Sequence, residues 1–295
     1  MQVFAQQAIN ALSLGGIYAL LALGLAIVFS VMGLINFAHG DLMTVGGYAM
    51  WFGTITLGMP LVAVAVLAVI AAIVGAVAME RIAFRPVRGA SPTTMLLTSF
   101  AVSMILQVLF QDFISARPVG VPLPGWLSRA LPVFGLRVGV VQLTAIAVVI
   151  LALTLMTLFL KRTVLGMGMR AAAQDFPVAR LMGIKANRIV SAAFAISGML
   201  AGLAAFLWVA QRGSVEPAMG LTPVIKAFIA AVLGGLGSLP GAVLGGFVLG
   251  IVEVVFQAVP PDAFLPFKDA FSLIIVLAIL LFRPQGLLGK VTERA

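Results

Sequence analysis

Apolar positions dominate the chain in long continuous stretches, at residues 8–32, 38–58, 60–80, 93–113, 139–160, 189–210, 223–236, 240–259 and 269–282. A helix rises 1.5 Å per residue and the hydrocarbon layer is about 30 Å thick, so a spanning helix needs about 20 apolar residues. Most of these stretches reach that length. The run 223–236 falls short, since it would span only about 21 Å as a helix. Apolarity is continuous rather than alternating, which excludes a transmembrane barrel and leaves helices as the way to satisfy every backbone donor and acceptor away from water. The pattern predicts an all-α fold: a polytopic transmembrane helical bundle with about eight to nine membrane segments, forming one domain over 1–295.

Composition agrees. Of the 295 residues, 62% are hydrophobic and only 9% charged, with a mean hydropathy of +1.20. A soluble domain keeps roughly a quarter of its residues charged to present a wetted surface. Too few charges exist here to do so, and no polar stretch is long enough for a separate soluble domain. The first seven residues carry no Lys or Arg and a long apolar run follows. A cleavable leader has a basic start and a short apolar core, so the N-terminus is expected to be a retained spanning helix.

The net charge of +9 comes from 18 Lys and Arg against 9 Asp and Glu. These cations sit in short connections between apolar stretches, not in the exposed basic patch that nucleic-acid binding requires. Segment 81–92 holds Arg81, Arg85 and Arg88; segment 161–188 holds Lys161, Arg162, Arg170, Arg180, Lys185 and Arg188; the tail adds Arg283, Lys290 and Arg294. Even numbers of crossings separate the three, so they share one side, assigned to the cytoplasm by its excess of Lys and Arg. The opposite side receives Arg117, Arg129, Arg137, Arg212 and Lys268, with Lys226 near or inside the membrane. The N-terminus then lies outside, as does the Pro- and Gly-rich loop 114–138. Within that loop Trp126 and the run Leu127–Leu131 read as an interfacial helix at headgroup level, in a loop that serves as a connector or as a docking surface for an extracytoplasmic partner.

Two stretches are less regular than spanning helices should be: Gly33 to Asp41 followed by Gly46-Gly47, and Gly234 to Gly241 followed by Gly245-Gly246. Paired Gly/Pro interruptions in the two halves of a transporter point to discontinuous helices at a central pathway. The first stretch contains Asn36, His39, Gly40 and Asp41. Asp41 or Asn36 could cap exposed backbone N–H groups at a helix start, or these residues could line a solute path. The second contains Gly234, Gly235, Gly237 and Ser238. Glu253 lies in an otherwise apolar helix and must find a polar partner, Lys226 being one conceivable partner, or line the path. Glu80 and Arg81 read as a helix boundary. In the cytoplasmic segment 161–188, Asp175 ahead of Pro177 signals a helix start and Gly183 a stop. Only one or two turns fit between them, and so short a helix needs a partner surface to order it.

Catalytic and metal motifs are missing. There is no cysteine and one histidine, His39, which excludes disulfides, thiolate chemistry and His-based metal clusters. No phosphate-binding glycine loop, zinc-binding His-Glu-x-x-His or nucleophile elbow is present. No catalytic residue, metal ligand or cofactor is expected, and an energy-using transporter built on this chain must borrow its ATPase.

Four segments, Gly33–Asp41, 166–184, Ala231–Gly246 and Leu281–Gly289, together resemble the permeases of branched-chain amino-acid importers, a family that also includes urea and short-amide permeases. The likeness runs from about residue 8 to 290. It implies a bacterial inner-membrane complex of two related permeases, two cytoplasmic ATPases and an extracytoplasmic solute-binding protein. Segment 166–184 would dock into an ATPase groove, with Arg170, Asp175, Ala179 and Gly183 as coupling residues. Solute would pass near Asn36, His39, Gly40, Asp41, the 234–238 stretch and Glu253. A urea, short-amide or other amino-acid solute on the same scaffold stays open, as does a stand-alone secondary transporter or channel.

Overall fold

The computed structural model describes residues 2–127, 129–133, 136–258, 268–283 and 285–289. Each of the nine apolar stretches becomes a helix: α1 (Gln2–Met32), α2 (His39–Ile55), α3 (Leu61–Met79), α4 (Pro92–Phe113), α5 (Val140–Arg162), α8 (Ala186–Arg212), α9 (Leu221–Gly234), α10 (Leu239–Ala258) and α11 (Lys268–Phe282). Two short helices, α6 (Val164–Gln174) and α7 (Phe176–Leu181), occupy the segment between α5 and α8. Among the described residues, six helices are long and apolar enough to cross a bilayer: α1, α3, α4, α5, α8 and α10. The helices α2, α9 and α11 are shorter, at 17, 14 and 15 residues.

The apolar faces sort into two kinds. On α3 the residues Val64, Ala68, Ala72 and Ala76 are buried, whereas Val62, Val66, Ile70 and Val74 are exposed. Both sets repeat every four residues, so one helix face packs on protein and the other meets lipid. The helices α4 and α5 are peripheral in the same way, while α1 and α8 are enclosed along most of their length. Lipid tails are as apolar as Leu, so burial from water does not hold such helices together; close van der Waals approach through small residues does. Gly198 and Gly202 of α8 lie against Ala68, Val69 and Ala72 of α3; Gly246 and Gly250 of α10 lie against Ala19 and Gly15 of α1; Gly241 and Gly245 of α10 lie against Gly234 and Ala230 of α9. The pairs Gly46-Gly47 and Gly245-Gly246, expected to extend the irregular stretches, instead sit inside regular α2 and α10. Glycine there allows close backbone contact rather than a break.

The real breaks are shorter. After α1, Gly33 adopts φ 66°, and residues 33–38 run without regular structure back into the bundle, where His39 of α2 packs against Gly24 in the body of α1. After the outer strand β4 (Ser214–Val215), the chain turns into the bundle to start α9, and Gly220 at that start touches Gly40 backbone to backbone. Helices α2 and α9 therefore begin against each other inside the protein and run to opposite ends. The first break falls in the stretch Gly33–Asp41 that the sequence singled out, whereas the second lies ahead of α9 at Gly220 and not at Gly234–Gly241, which holds the turn between α9 and α10. Such irregular backbone is tolerated at membrane depth because protein walls it in.

Hydrogen bonds fix the two ends of the bundle. At one end Arg85 and Arg88 reach Ser191 and Asn187 of α8, and the Leu287 and Leu288 amides donate to the Leu233 and Gly234 carbonyls at 2.8 and 3.0 Å. The cation-rich segments thus gather at one end, which is the cytoplasmic end by charge; Lys290 and Arg294 lie outside the described residues. At the other end β1 (Val119–Gly120) pairs antiparallel with β4, and β2 (Ala130–Val133) pairs antiparallel with β3 (Leu136–Gly139), Ala130 opposite Gly139. The interfacial helix expected at 126–131 is not formed. Residues 125–127 make a turn, Leu127 is buried, and Ala130 onward is strand. The five residues Leu127–Leu131 include Ser128 and Arg129 and run into Pro132, a stretch too short and too polar to sustain the first helical turns.

Gly250 on α10 has no room for a side chain against α1, whereas Gly125 in the outer loop faces open space. Gly250→Val is expected to cost about 1–3 kcal/mol through forced separation of the two helices, with a lowered thermal unfolding midpoint of the purified chain. Gly125→Val is expected to leave that midpoint unchanged.

Candidate functional site

A large cavity, about 730 Å³, lies at the outer end among α1, α5, α8, α9 and α10. Its walls are unusually polar for the inside of an apolar bundle. Gln142 of α5 donates to Asn10 of α1 at 3.3 Å, and Gln211 of α8 donates to Ser13 of α1 at 3.0 Å. Arg212, also on the wall, stacks over the Trp208 ring at 4.0 Å. Glu253 lies deeper. One carboxylate oxygen accepts from the Lys226 ammonium at 2.8 Å and the other from the Tyr18 hydroxyl at 2.8 Å. The Lys226 ammonium also lies 5.6 Å from the centre of the Tyr18 ring. Glu253 and Lys226 come from α10 and α9, 27 residues apart, and meet because the glycine contacts bring those helices to backbone distance. A buried carboxylate is tolerable only with such partners.

The polar stretch at the start of α2 has a different setting. Asn36, His39 and Asp41 are 1%, 0% and 2% exposed, and none lines the outer cavity. The Asn36 amide nitrogen lies 3.7 Å from the Met79 sulfur of α3, and its amide oxygen finds no hydrogen-bond partner among the described residues. His39 Nδ1 is 3.0 Å from the Ser197 hydroxyl of α8. Asp41 accepts from Gln107 of α4 at 3.3 Å, and Gln107 also donates to Ser103. Gly40 leaves room for the backbone of Gly220. Neither Asp41 nor Asn36 caps α2: its N-cap is Ala38, with no side-chain cap bond. Asp41 sits instead in the first turn, where a carboxylate complements the positive end of the helix dipole. These residues tie the start of a broken helix to α3, α4, α8 and α9.

Gly234, Gly235, Gly237 and Ser238 form the turn between α9 and α10 at the cytoplasmic end. Gly235 and Gly237 take φ 107° and 88°. The segment 285–289 closes over the turn, with Gly286 against Gly235, and supplies amides to carbonyls that the end of α9 would otherwise leave without partners. Two segments far apart in sequence thus form one clasp. Gly237 also faces Arg170 of α6 across a cavity of about 180 Å³ bounded by Ile27 and Ser30 of α1.

The segment between α5 and α8 follows its sequence signals. The Asp175 carboxylate accepts from the Val178 amide at 2.9 Å and caps α7, with Pro177 in the first turn. Gly183 ends it at φ 85°, with the Ile184 amide donating to the Ala179 carbonyl at 3.2 Å. Ala179 is buried, while Leu181 and Met182 are 87% and 79% exposed. Helix α7 therefore presents apolar side chains outward at the end of the bundle richest in cations.

Sequence reasoning missed one site. Glu80 is more than a helix boundary: it is fully buried in a π-helical turn, Glu80–Phe84. It accepts from Arg85 at 3.3 Å, from Arg88, and from the Ser191 hydroxyl of α8 at 2.8 Å. Burial holds the Arg88 guanidinium below its ordinary value, with Glu80 pulling the other way. The signal was present in the spacing of Glu80, Arg85 and Arg88, but Ser191 gave no hint of its part. No group of three or more metal-ligating side chains occurs among the described residues.

Removing one partner of a buried ion pair strands the other, at a cost of roughly 3–5 kcal/mol. Lys226→Met is expected to lower the thermal midpoint of the purified chain strongly. Lys226→Met/Glu253→Gln is expected to recover most of the loss, because the glutamine carries no charge and still accepts from Tyr18. A double-mutant cycle on the unfolding midpoint measures the coupling.

The profile of the family described as "Branched-chain amino acid transport system / permease component" matches residues 7–282. The branched-chain amino acid transport permease BraD of Pseudomonas aeruginosa is 35% identical over 298 residues, spanning 97% of this chain and 96% of the relative. LivH of Escherichia coli, also a high-affinity branched-chain amino acid transport permease, is 33% identical over 298 residues, with the same coverage. A shorter match, 29% over 152 residues, links 50% of this chain to 41% of LsrC, an autoinducer 2 import permease of Yersinia enterocolitica. The chain belongs to the branched-chain amino acid transport system permease family.

Proposed function

We propose that this chain is the membrane-spanning permease of an ATP-driven importer that carries branched-chain amino acids across the bacterial inner membrane. The carrying observation is the polar outer cavity with the Glu253–Lys226–Tyr18 cluster on its wall, set among the helices of an apolar bundle. An extracytoplasmic binding protein delivers solute to this vestibule. Glu253 faces the solute there. Gly237 and Arg170 border the inner mouth, and Asn36, His39, Gly40 and Asp41 hold the joint between the two broken helices about which the path opens. The clasp at Gly234, Gly235 and Ser238 keeps the inner end of α9 and α10 together during that movement.

Energy comes from two separate ATPase subunits, since the sequence carries no phosphate-binding loop of its own. They grip the α6–α7 element, where Asp175 and Gly183 fix the ends of α7, buried Ala179 seats it, and Val178, Leu181 and Met182 offer apolar contact. A second permease, related or identical, completes the pathway. Among solutes, the branched-chain reading rests on the two relatives matched along nearly their whole length.

Two measurements test this. In a strain deleted for the gene, radiolabelled leucine uptake is expected to fall; unchanged leucine uptake with lost urea uptake would overturn the solute. Asp175→Ala removes a cap worth about 1 kcal/mol, or roughly fivefold in the ordered population of α7, and Gly183→Arg strains a left-handed backbone position. Both are expected to reduce ATPase pull-down and leucine transport by at least that factor with normal membrane insertion. Normal pull-down in both variants would remove α7 from the coupling.

A further inference from the structure

A second large cavity, about 560 Å³, opens at the cytoplasmic end between α7, the start of α8 and the connection after the π-helical turn. Four cations line it: Arg88, Arg180, Lys185 and Arg188. No carboxylate lines it. Glu80, which pairs with Arg88, is already shared with Arg85 and Ser191. Arg180, Lys185 and Arg188 form no ion pair among the described residues. The same wall carries the first turn of α8, whose N-cap Lys185 supplies no side-chain bond and whose first turn holds no acidic residue. Its leading amides therefore point a positive helix end at the cavity. Cations gathered around one space repel each other unless an anion occupies it, and here Glu80 compensates Arg88 while no carboxylate of the lining compensates the other three. The remaining lining is Phe176 and Ala186, which are apolar, and Asn187, whose amide oxygen accepts from Arg88 at 2.6 Å.

We infer that this pocket binds a phosphate oxyanion, and that the source is an anionic phospholipid of the cytoplasmic leaflet. The mixed wall suits a phosphodiester, whose charged head is joined to an apolar body. Ile82, on the turn that leads into this connection, is apolar and 77% exposed, so the element that carries Arg88 also presents apolar surface outward. Basic pockets between membrane helices on this side are suited to anionic headgroups. The bound lipid would brace α7 against α8 and make the seating of the coupling element depend on leaflet charge.

The test uses the full chain, reconstituted in vesicles of phosphatidylcholine and phosphatidylglycerol, extracted, and weighed by native mass spectrometry. The chain is expected to retain phosphatidylglycerol in preference to phosphatidylcholine. Each exposed cation near an anionic surface contributes about 1 kcal/mol, so Lys185→Gln/Arg188→Gln is expected to reduce that retention by roughly thirty-fold. Lys185→Arg/Arg188→Lys is expected to keep it, as is Arg162→Gln, which removes an exposed cation elsewhere on the same end. Equal retention of the two lipids, or unchanged retention in the double glutamine variant with a normal size-exclusion profile, would overturn the site. Inorganic phosphate that stabilises the lipid-free chain, with no lipid retained, would overturn the membrane source in favour of a soluble anion.

Discussion

In hydrocarbon a backbone amide or carbonyl without a partner costs several kcal/mol, because no water stands by to take its place. That constraint decides where this chain can depart from helix. Its two departures within the bundle, residues 33–38 and the entry to α9, are enclosed by α1, α3, α4 and α8, and meet at Gly40 and Gly220. The polar side chains around the first departure, Ser99, Gln107, Ser103 and Ser197, are the inner lining of that enclosure. The phenolic handle of Tyr18 and the Lys226 ammonium play the corresponding part for Glu253.

Enclosure in turn requires helices at backbone distance, which explains the glycine and alanine content of α1, α8 and α10. These helices form the middle of the bundle and present Gly15, Gly198, Gly202, Gly246 and Gly250 at their contacts. The peripheral helices α3, α4 and α5 carry branched and aromatic residues outward instead. Transport by rocking of such a bundle needs interfaces that slide without losing hydrogen bonds, and contacts between small residues meet that need.

Charge is distributed by the same logic. Glu80 is buried at the cytoplasmic end, where it joins the π-helical turn to α8, and Glu253 is buried toward the outer end, where it joins α10 to α9 and α1. Each holds together elements that lipid alone would not. Other cations lie outside these joints, at the rim, where their excess on one side orients the chain.

The sequence by itself determined the fold class, the number and position of the apolar helices, the end of the bundle that gathers the cations, and the limits of α7. Each of these depends on local properties: apolar length, the distribution of Lys and Arg, and the capping chemistry of Asp175, Pro177 and Gly183. Tertiary structure alone decided that Gly245-Gly246 is a packing surface and not a break, that 285–289 clasps the α9–α10 turn, and that Glu80 reaches Ser191. It also decided that Asn36, His39 and Asp41 are walled into a joint while Glu253 faces a cavity. A glycine in a sequence reads the same whether it bends the chain or admits a neighbour, and a buried carboxylate does not name its partner across more than a hundred residues. Those outcomes depend on which helices touch, and that is settled by close packing in three dimensions.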